Sequence, residues 1–253
     1  MKKTEKEVIK RLESELLNIE NLYKSNCVNW CGKTKDTKIY TTEIISNRIS
    51  KKLFNEIKEI ERKETYYTNN HDGKIHNNSN RHEENFAKQI TGMTLKGLGH
   101  IMDYQVPLKN IKSDNVGKLD LISFDIKTMS LYLIELKYGK NKETLLRAIL
   151  ESYTYFKIVK ANKLIEDYLE KIISISKEGI NPSEINVKPA VLLISDCKAY
   201  MDLAETSAGK RPELKKLINN LGVSCFAGEF ELEIKNINIE EYTFKNDYSK
   251  PTH

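Results

Sequence analysis

The stretch 117–140, GKLDLISFDIKTMSLYLIELKYGK, constrains this 253-residue chain more than any other segment. Two runs rich in branched and aromatic residues, KLDLISFD and SLYLIELK, flank a short polar turn at 126–129. That pattern spells an antiparallel hairpin. Both runs are apolar on both faces, which suits central rather than edge strands. Charges nevertheless interrupt them. A two-residue turn at Lys127 and Thr128 sets Asp120 directly opposite Glu135, with Cβ atoms about 4.5–5.5 Å apart on one face of the sheet. Lys137, two residues beyond Glu135, points to the same face.

Two carboxylates this close in apolar surroundings repel each other, and loss of water further disfavours their charged forms. One of them takes up a proton unless a cation neutralises the pair. Lys137 supplies one positive charge, whereas a divalent metal would supply two. Mg²⁺ suits such a place, because it binds through one or two carboxylates while waters and phosphate oxygens complete its octahedron. The plainer alternative is a buried salt-bridge cluster without metal. Such clusters add little to stability, so folding alone does not favour one here.

Asp120, a spacing of fourteen residues and then Glu135-Leu136-Lys137 resembles the PD-(D/E)xK nuclease superfamily. The wording GKLDLISFD…LYLIELKYGK is especially similar to its bacterial and archaeal DNA-processing branches. The resemblance covers 81–160, extends loosely to about 235 and does not reach 1–80. It departs from the common pattern at Leu119, where many members have proline. It implies an α/β, restriction-endonuclease-like core, a central mixed β-sheet flanked by helices. It also implies a metal-dependent endonuclease using Mg²⁺ or Mn²⁺ and leaving 5′-phosphates. Asp120, Glu135 and Lys137 would be catalytic, with Asp120, Glu135 and the Leu136 carbonyl as metal ligands.

Members of the superfamily often carry an acid on the helix before the sheet, and Glu83 and Glu84 compete for that place. Glu83 shares a helical stripe with Phe86, Ala87 and Ile90, whereas Glu84 aligns with Lys88 and solvent. Glu83 is therefore the expected catalytic acid and further metal ligand. On the helix after the hairpin, relatives place Gln or Glu four residues before Tyr. Glu151 and Tyr155 fit as auxiliary residues, with Arg147 one turn earlier. An exposed Arg147–Glu151 pair is the plainer reading of that face. Lys140, Lys142 and Arg147 would suit contacts to a phosphate backbone.

Around this core, periodic apolar residues predict helices over 3–23 and 42–60, making 1–62 an N-terminal helical arm. Residues 63–80 read as a polar linker, 81–241 as the nuclease-like domain and 242–253 as a polar tail. Within the domain the pattern predicts a helix over HEENFAKQITGM and strands over GHIMDYQVPL, PAVLLISD and VSCFAGEFELEI. Helices are expected over about 142–159, onward to about 175, and over PELKKLINNLG. Cys27 and Cys31 are four apart without a second ligand pair, so ordinary thiols are expected. Lys210 and Arg211 read as a solvated turn.

No apolar run approaches the roughly 18 residues a membrane span needs, and the charged N-terminus does not read as a signal peptide. A cytoplasmic protein with no membrane partner is expected. The net charge of +5 permits a nucleic-acid partner, DNA being favoured over RNA by the resemblance. A homodimer cutting both strands is left open. The alternative to an enzyme is a non-catalytic nucleic-acid-binding or assembly module that retains the fold.

Overall fold

The computed structural model describes residues 2–67, 81–109, 117–177, 179–231 and 236–243. Seven strands form one sheet in sequence order: β1 (Thr94–Leu95), β2 (Gly99–Pro107), β3 (Lys118–Asp125), β4 (Ser130–Lys137), β5 (Asn186–Ile194), β6 (Ser224–Glu231) and β7 (Asn236–Tyr242). The chain runs antiparallel from β1 to β4, parallel from β4 to β6, and antiparallel again into β7. This is a mixed α/β architecture, as expected, and β4 lies at its centre with all eight residues buried.

The β3–β4 hairpin keeps the predicted register, with Leu121 opposite Ile134 and Asp125 opposite Ser130. Its connection is four residues long instead of two. Asp125 stabilises it by accepting from the Lys127 N–H at 3.2 Å and the Thr128 hydroxyl at 2.8 Å. Met129 closes the turn with φ +49°. A longer loop centred on the same point leaves the pairs from Asp125–Ser130 to Leu121–Ile134 in register, but the ladder stops there and does not include the expected Asp120–Glu135 pair.

Parallel strands require crossovers, and helices supply them. Between β4 and β5 run α4 (Leu145–Ile158) and α5 (Ala161–Ser176); α6 (Lys198–Ser207) and α7 (Pro212–Leu221) join β5 to β6. These four helices share one apolar cluster with Ile122, Phe124, Leu131 and Leu133 of the sheet. The opposite face packs α3 (His82–Ile90), through Phe86, Ala87 and Ile90, on Leu121, Ile134 and Leu136. The element α6 escapes sequence inspection because its buried stripe alternates Ala199 and Leu203 with the polar Asp202 and Thr206. The expected final strand over 223–234 is β6, and β7 follows it as a further strand that the pattern did not anticipate.

The N-terminal segment differs from two uninterrupted helices. It forms α1 (Glu5–Leu16) and α2 (Thr41–Ser46), with 3-10 turns at Ile19–Lys24 and Lys51–Glu56. Tertiary contacts explain the breaks. They let Tyr23 meet Tyr155 and Phe54 meet Tyr153, both edge-to-face. Buried residues from Val8 to Ile57 thus contribute to the same core as α4. Trp30 is half-buried beneath the Lys3 ammonium, 4.0 Å from its ring centre. Of the expected linker, only 63–67 lie among the described residues, and there Tyr66 is buried. The tail beyond 243 lies outside them.

Arg211 is 1% exposed, not a solvated turn residue. Its guanidinium donates to Thr42 at 2.6 Å, pairs with Asp202 at 3.2 Å and binds Glu205. Glu43 in turn caps α7 by accepting from the Glu213 and Leu214 N–H groups at 2.9 and 3.0 Å. One buried cation and one buried acid thereby join α2, α6 and α7.

At the start of β2, Gly99 adopts φ +74°, and a Cβ there would stand 2.0 Å from the Phe124 carbonyl oxygen. Gly222 also has positive φ (+70°), as the residue after α7, but faces open space. Gly99→Ala is therefore expected to cost more than about 3 kcal/mol and Gly222→Ala about 1 kcal/mol. Denaturant titration of the two variants checks that order.

Candidate active site

The charged residues of the hairpin meet where the β3–β4 ladder stops. Leu121↔Ile134 is its last pair. One residue further along β3, the Asp120 side chain takes the place of a main-chain partner, and Oδ2 accepts from the Leu136 N–H at 3.0 Å. In a strand, a residue's N–H and C=O point to the same edge. The Leu136 carbonyl therefore faces the gap that Asp120 occupies. Oδ1 of Asp120 accepts from Gln105 Nε2 of β2, also at 3.0 Å.

Behind Asp120 lies Lys137, 3% exposed. Its ammonium binds Glu135 at 2.7 Å and Glu143, in the loop before α4, at 2.6 Å; Glu151 of α4 is 3.7 Å away. Glu151 accepts from the Tyr155 hydroxyl at 3.0 Å, and Tyr155 accepts from Tyr23 at 3.4 Å. The hairpin register and the α4 spacing thus converge on one cation. Burial opposes its charge, but Glu135, Glu151 and Glu143 outweigh that and hold the ammonium protonated well above the ordinary lysine range.

Negative charge still exceeds positive. Burial drives Glu135 well above the usual carboxylate range, and repulsion from Asp120 and Glu151 adds to it. Burial likewise raises Asp120; Lys137 and the Leu136 N–H pull it back, Glu83 and Glu151 push it up, and its pKa is pushed up to about 7. The crowding expected from the sequence is therefore present, with Glu151 and Glu83 adding to it.

Glu83 projects from the first turn of α3 and accepts from the Tyr138 N–H at 3.1 Å and Asn141 Nδ2 at 2.7 Å. Burial raises its pKa. Glu84 instead pairs with Arg81 and Lys88 at 3.1 and 3.2 Å. Both acids are half-buried and line one cleft, so Glu84 does not face solvent as expected; the two differ in their partners. A cleft of about 510 Å³ opens here, with Glu83, Gln105, Asp120, Tyr138, Lys140 and Asn141 in its walls. Lys140 is exposed in that wall, and Lys142 is exposed nearby in the chain. Arg147 does not pair with Glu151; its Nε lies 2.9 Å from Glu143. Glu135 and Lys137 are not part of the cleft wall, being buried.

Three participants escaped sequence inspection. Glu143 sits in a polar loop, Asn141 has no motif around it, and Gln105 lies inside a strand pattern. Gln105 also adopts φ +49°, a left-handed conformation that costs a side-chain-bearing residue about 1–2 kcal/mol. Gly117 offered a legible sign: a Cβ there would approach the Tyr155 hydroxyl to 2.3 Å.

Among the described residues, no three or more His, Cys, Asp or Glu side chains are gathered so as to hold a metal ion by themselves. The donor chemistry nevertheless fits a hard divalent cation. Oxygen donors in excess of positive charge surround Asp120, and Mg²⁺ commonly takes only one or two carboxylates from its protein. Asp120, Glu135 and the Leu136 carbonyl would hold it, with Glu83 at the margin. Cys27 is buried and Cys31 exposed, both as free thiols. Cys197 caps α6, its sulfur accepting from the Tyr200 N–H. No helix among the described residues is long and apolar enough to cross a membrane.

No protein-family model, curated protein or solved structure matches this chain.

The raised Asp120 pKa has a definite sign. The folded protein keeps a proton that the unfolded chain loses above its ordinary value of 3.8, so this group's contribution to stability falls as pH rises from about 4 to about 7. In metal-free buffer, Asp120→Asn is expected to gain on the parent across that range, reaching on the order of 2–4 kcal/mol at pH 8. Denaturant unfolding at a series of pH values measures the gap; a constant gap refutes the assignment.

Proposed function

We propose that this protein is a divalent-metal-dependent nuclease that hydrolyses phosphodiester bonds, with DNA the favoured substrate and a restriction-endonuclease-like core. One observation carries the reading. A hairpin ladder ends at Leu121 and Ile134, and beside that end Asp120 meets the strand bearing Glu135, Leu136 and Lys137. Two acids and a lysine in this relation form a poor structural device, since an apolar trio would serve a buried sheet at least as well. They form a good phosphodiesterase site.

The residues divide the work by their chemistry. A bound divalent cation would supply an activated water and a counter-charge for the phosphate. Asp120 would hold that cation at the cleft, its carboxylate already fixed by two donors. Glu135 would be the cation's second carboxylate. Three carboxylates favour the protonated form of Lys137, which suits it to charge stabilisation better than to taking a proton from water. It would stabilise the negative charge that grows on the phosphate. Glu143 and Glu151 keep the ammonium in place, and Tyr155 orients Glu151. Glu83 would steady the margin of the site through Tyr138 and Asn141. Lys140 would meet a neighbouring phosphate; Arg147, spent on Glu143, is a weaker candidate for that contact.

Incubation with single- and double-stranded DNA and RNA, with Mg²⁺ or Mn²⁺, should reveal cleavage that EDTA abolishes. Asp120→Ala and Lys137→Ala should each lower the rate at least about 100-fold, circular dichroism confirming that both variants fold. Cleavage indifferent to both substitutions would sink the reading. Tight, metal-independent binding without cleavage would favour a non-catalytic nucleic-acid-binding module.

A further inference from the structure

We propose that Gln105 is a positioning residue of this site, fixing the Asp120 carboxylate for cation binding through a strained stretch of β2. Its use in hydrolysis rests on the nuclease reading above, while its effect on the cation does not.

Five described residues other than glycine have positive φ: Lys38, Gln105, Met129, Lys177 and Asp196. Met129 closes the hairpin, Lys177 ends α5, and Lys38 and Asp196 lie outside regular elements. Gln105 alone sits inside a strand. Tyr104 pairs with Leu121 and Val106 with Leu119, so the register sets Gln105 across from Asp120. The left-handed backbone thus occurs at the β2 position facing the acid.

The hydrogen bonds give that coincidence a purpose. The Leu136 N–H takes Oδ2 of Asp120 and Gln105 Nε2 takes Oδ1, each at 3.0 Å. Two donors on different oxygens define the plane of the carboxylate, where one would leave it free to rotate. The donor is also neutral. Lys or Arg at 105 would grip Asp120 more strongly, but would cancel the negative charge that attracts a divalent cation. Glutamine orients the acid and leaves its charge intact. Were the bend in β2 all that mattered, glycine would provide it without strain. A long amide at a position where a side chain is costly indicates that the amide is used.

Two substitutions separate strain from amide. Gln105→Gly relieves the backbone and removes the donor; Gln105→Ala removes the donor and keeps the backbone conformation. The metal-free Gln105→Gly protein is expected to melt about 2–4 °C above the parent, and Gln105→Ala no higher than the parent. Titration calorimetry with Mn²⁺ should show both variants binding about tenfold more weakly. Cleavage at sub-saturating Mn²⁺ should fall in proportion and recover when the ion is in excess. Undiminished Mn²⁺ affinity in either variant overturns the proposal, as does a lower melting temperature for Gln105→Gly. If the parent binds Mn²⁺ but cuts no nucleic acid, the nuclease reading falls while the affinity difference still decides the role of Gln105. A parent that binds no Mn²⁺ overturns both.

Discussion

Everything in the cleft depends on where one ammonium sits. Lys137 is buried on the central strand, and a buried cation is tolerable only among acids that face it closely. Glu135, Glu143 and Glu151 do so from three parts of the chain: the same strand, the following loop and the crossover helix. Lys137 therefore anchors α4 to β4 at one end of the sheet. The same three acids outnumber the lysine; Asp120 beside them is raised by burial first, with Glu83 and Glu151 adding to it. A single constraint thus positions a helix and crowds acids around one buried cation.

The remainder of the molecule keeps α4 where that arrangement needs it. Its N-cap, Thr144, accepts from the Arg147 N–H and donates to the Val28 carbonyl at 2.6 Å, while Asn29 accepts from the Thr144 N–H. Asp202 accepts from the Leu145 N–H and also meets Arg211. The N-terminal segment is thus part of the scaffold behind the site, and Tyr23 extends the chain Lys137–Glu151–Tyr155 by one more hydroxyl. The two buried ionic centres, at Lys137 and Arg211, flank α4 and share no side chain.

Much of this was legible in the residues. Alternation and turn chemistry identified β2, β3 and β4, and the symmetry of the hairpin about 127–128 set Asp120 against the strand of Glu135 before any coordinates. A helical stripe told Glu83 from Glu84, which differ in their partners and not in facing solvent. The i, i+4 spacing set Glu151 and Tyr155 on one helical face, where the structure joins them by a hydrogen bond, but it did not show that Arg147 would turn to Glu143. Three other errors share one cause. The breaks after α1 and α2, the burial of Arg211 and the polar stripe of α6 are each imposed by a partner more than twenty residues away in the chain. Local periodicity carries no record of such partners.

By itself the sequence determined the hairpin, its register and the unusual density of acid within apolar strands, because side-chain alternation in a strand is a local property. Only the tertiary structure decided how those acids are used. It ended the ladder at Leu121 so that a side chain could replace a backbone partner, brought Glu143 and Glu151 onto Lys137, and turned Gln105 into a left-handed conformation opposite Asp120. Each outcome balances the desolvation of a charge against the geometry of distant elements. That balance exists only once the sheet, the α4 crossover and the N-terminal segment are packed together.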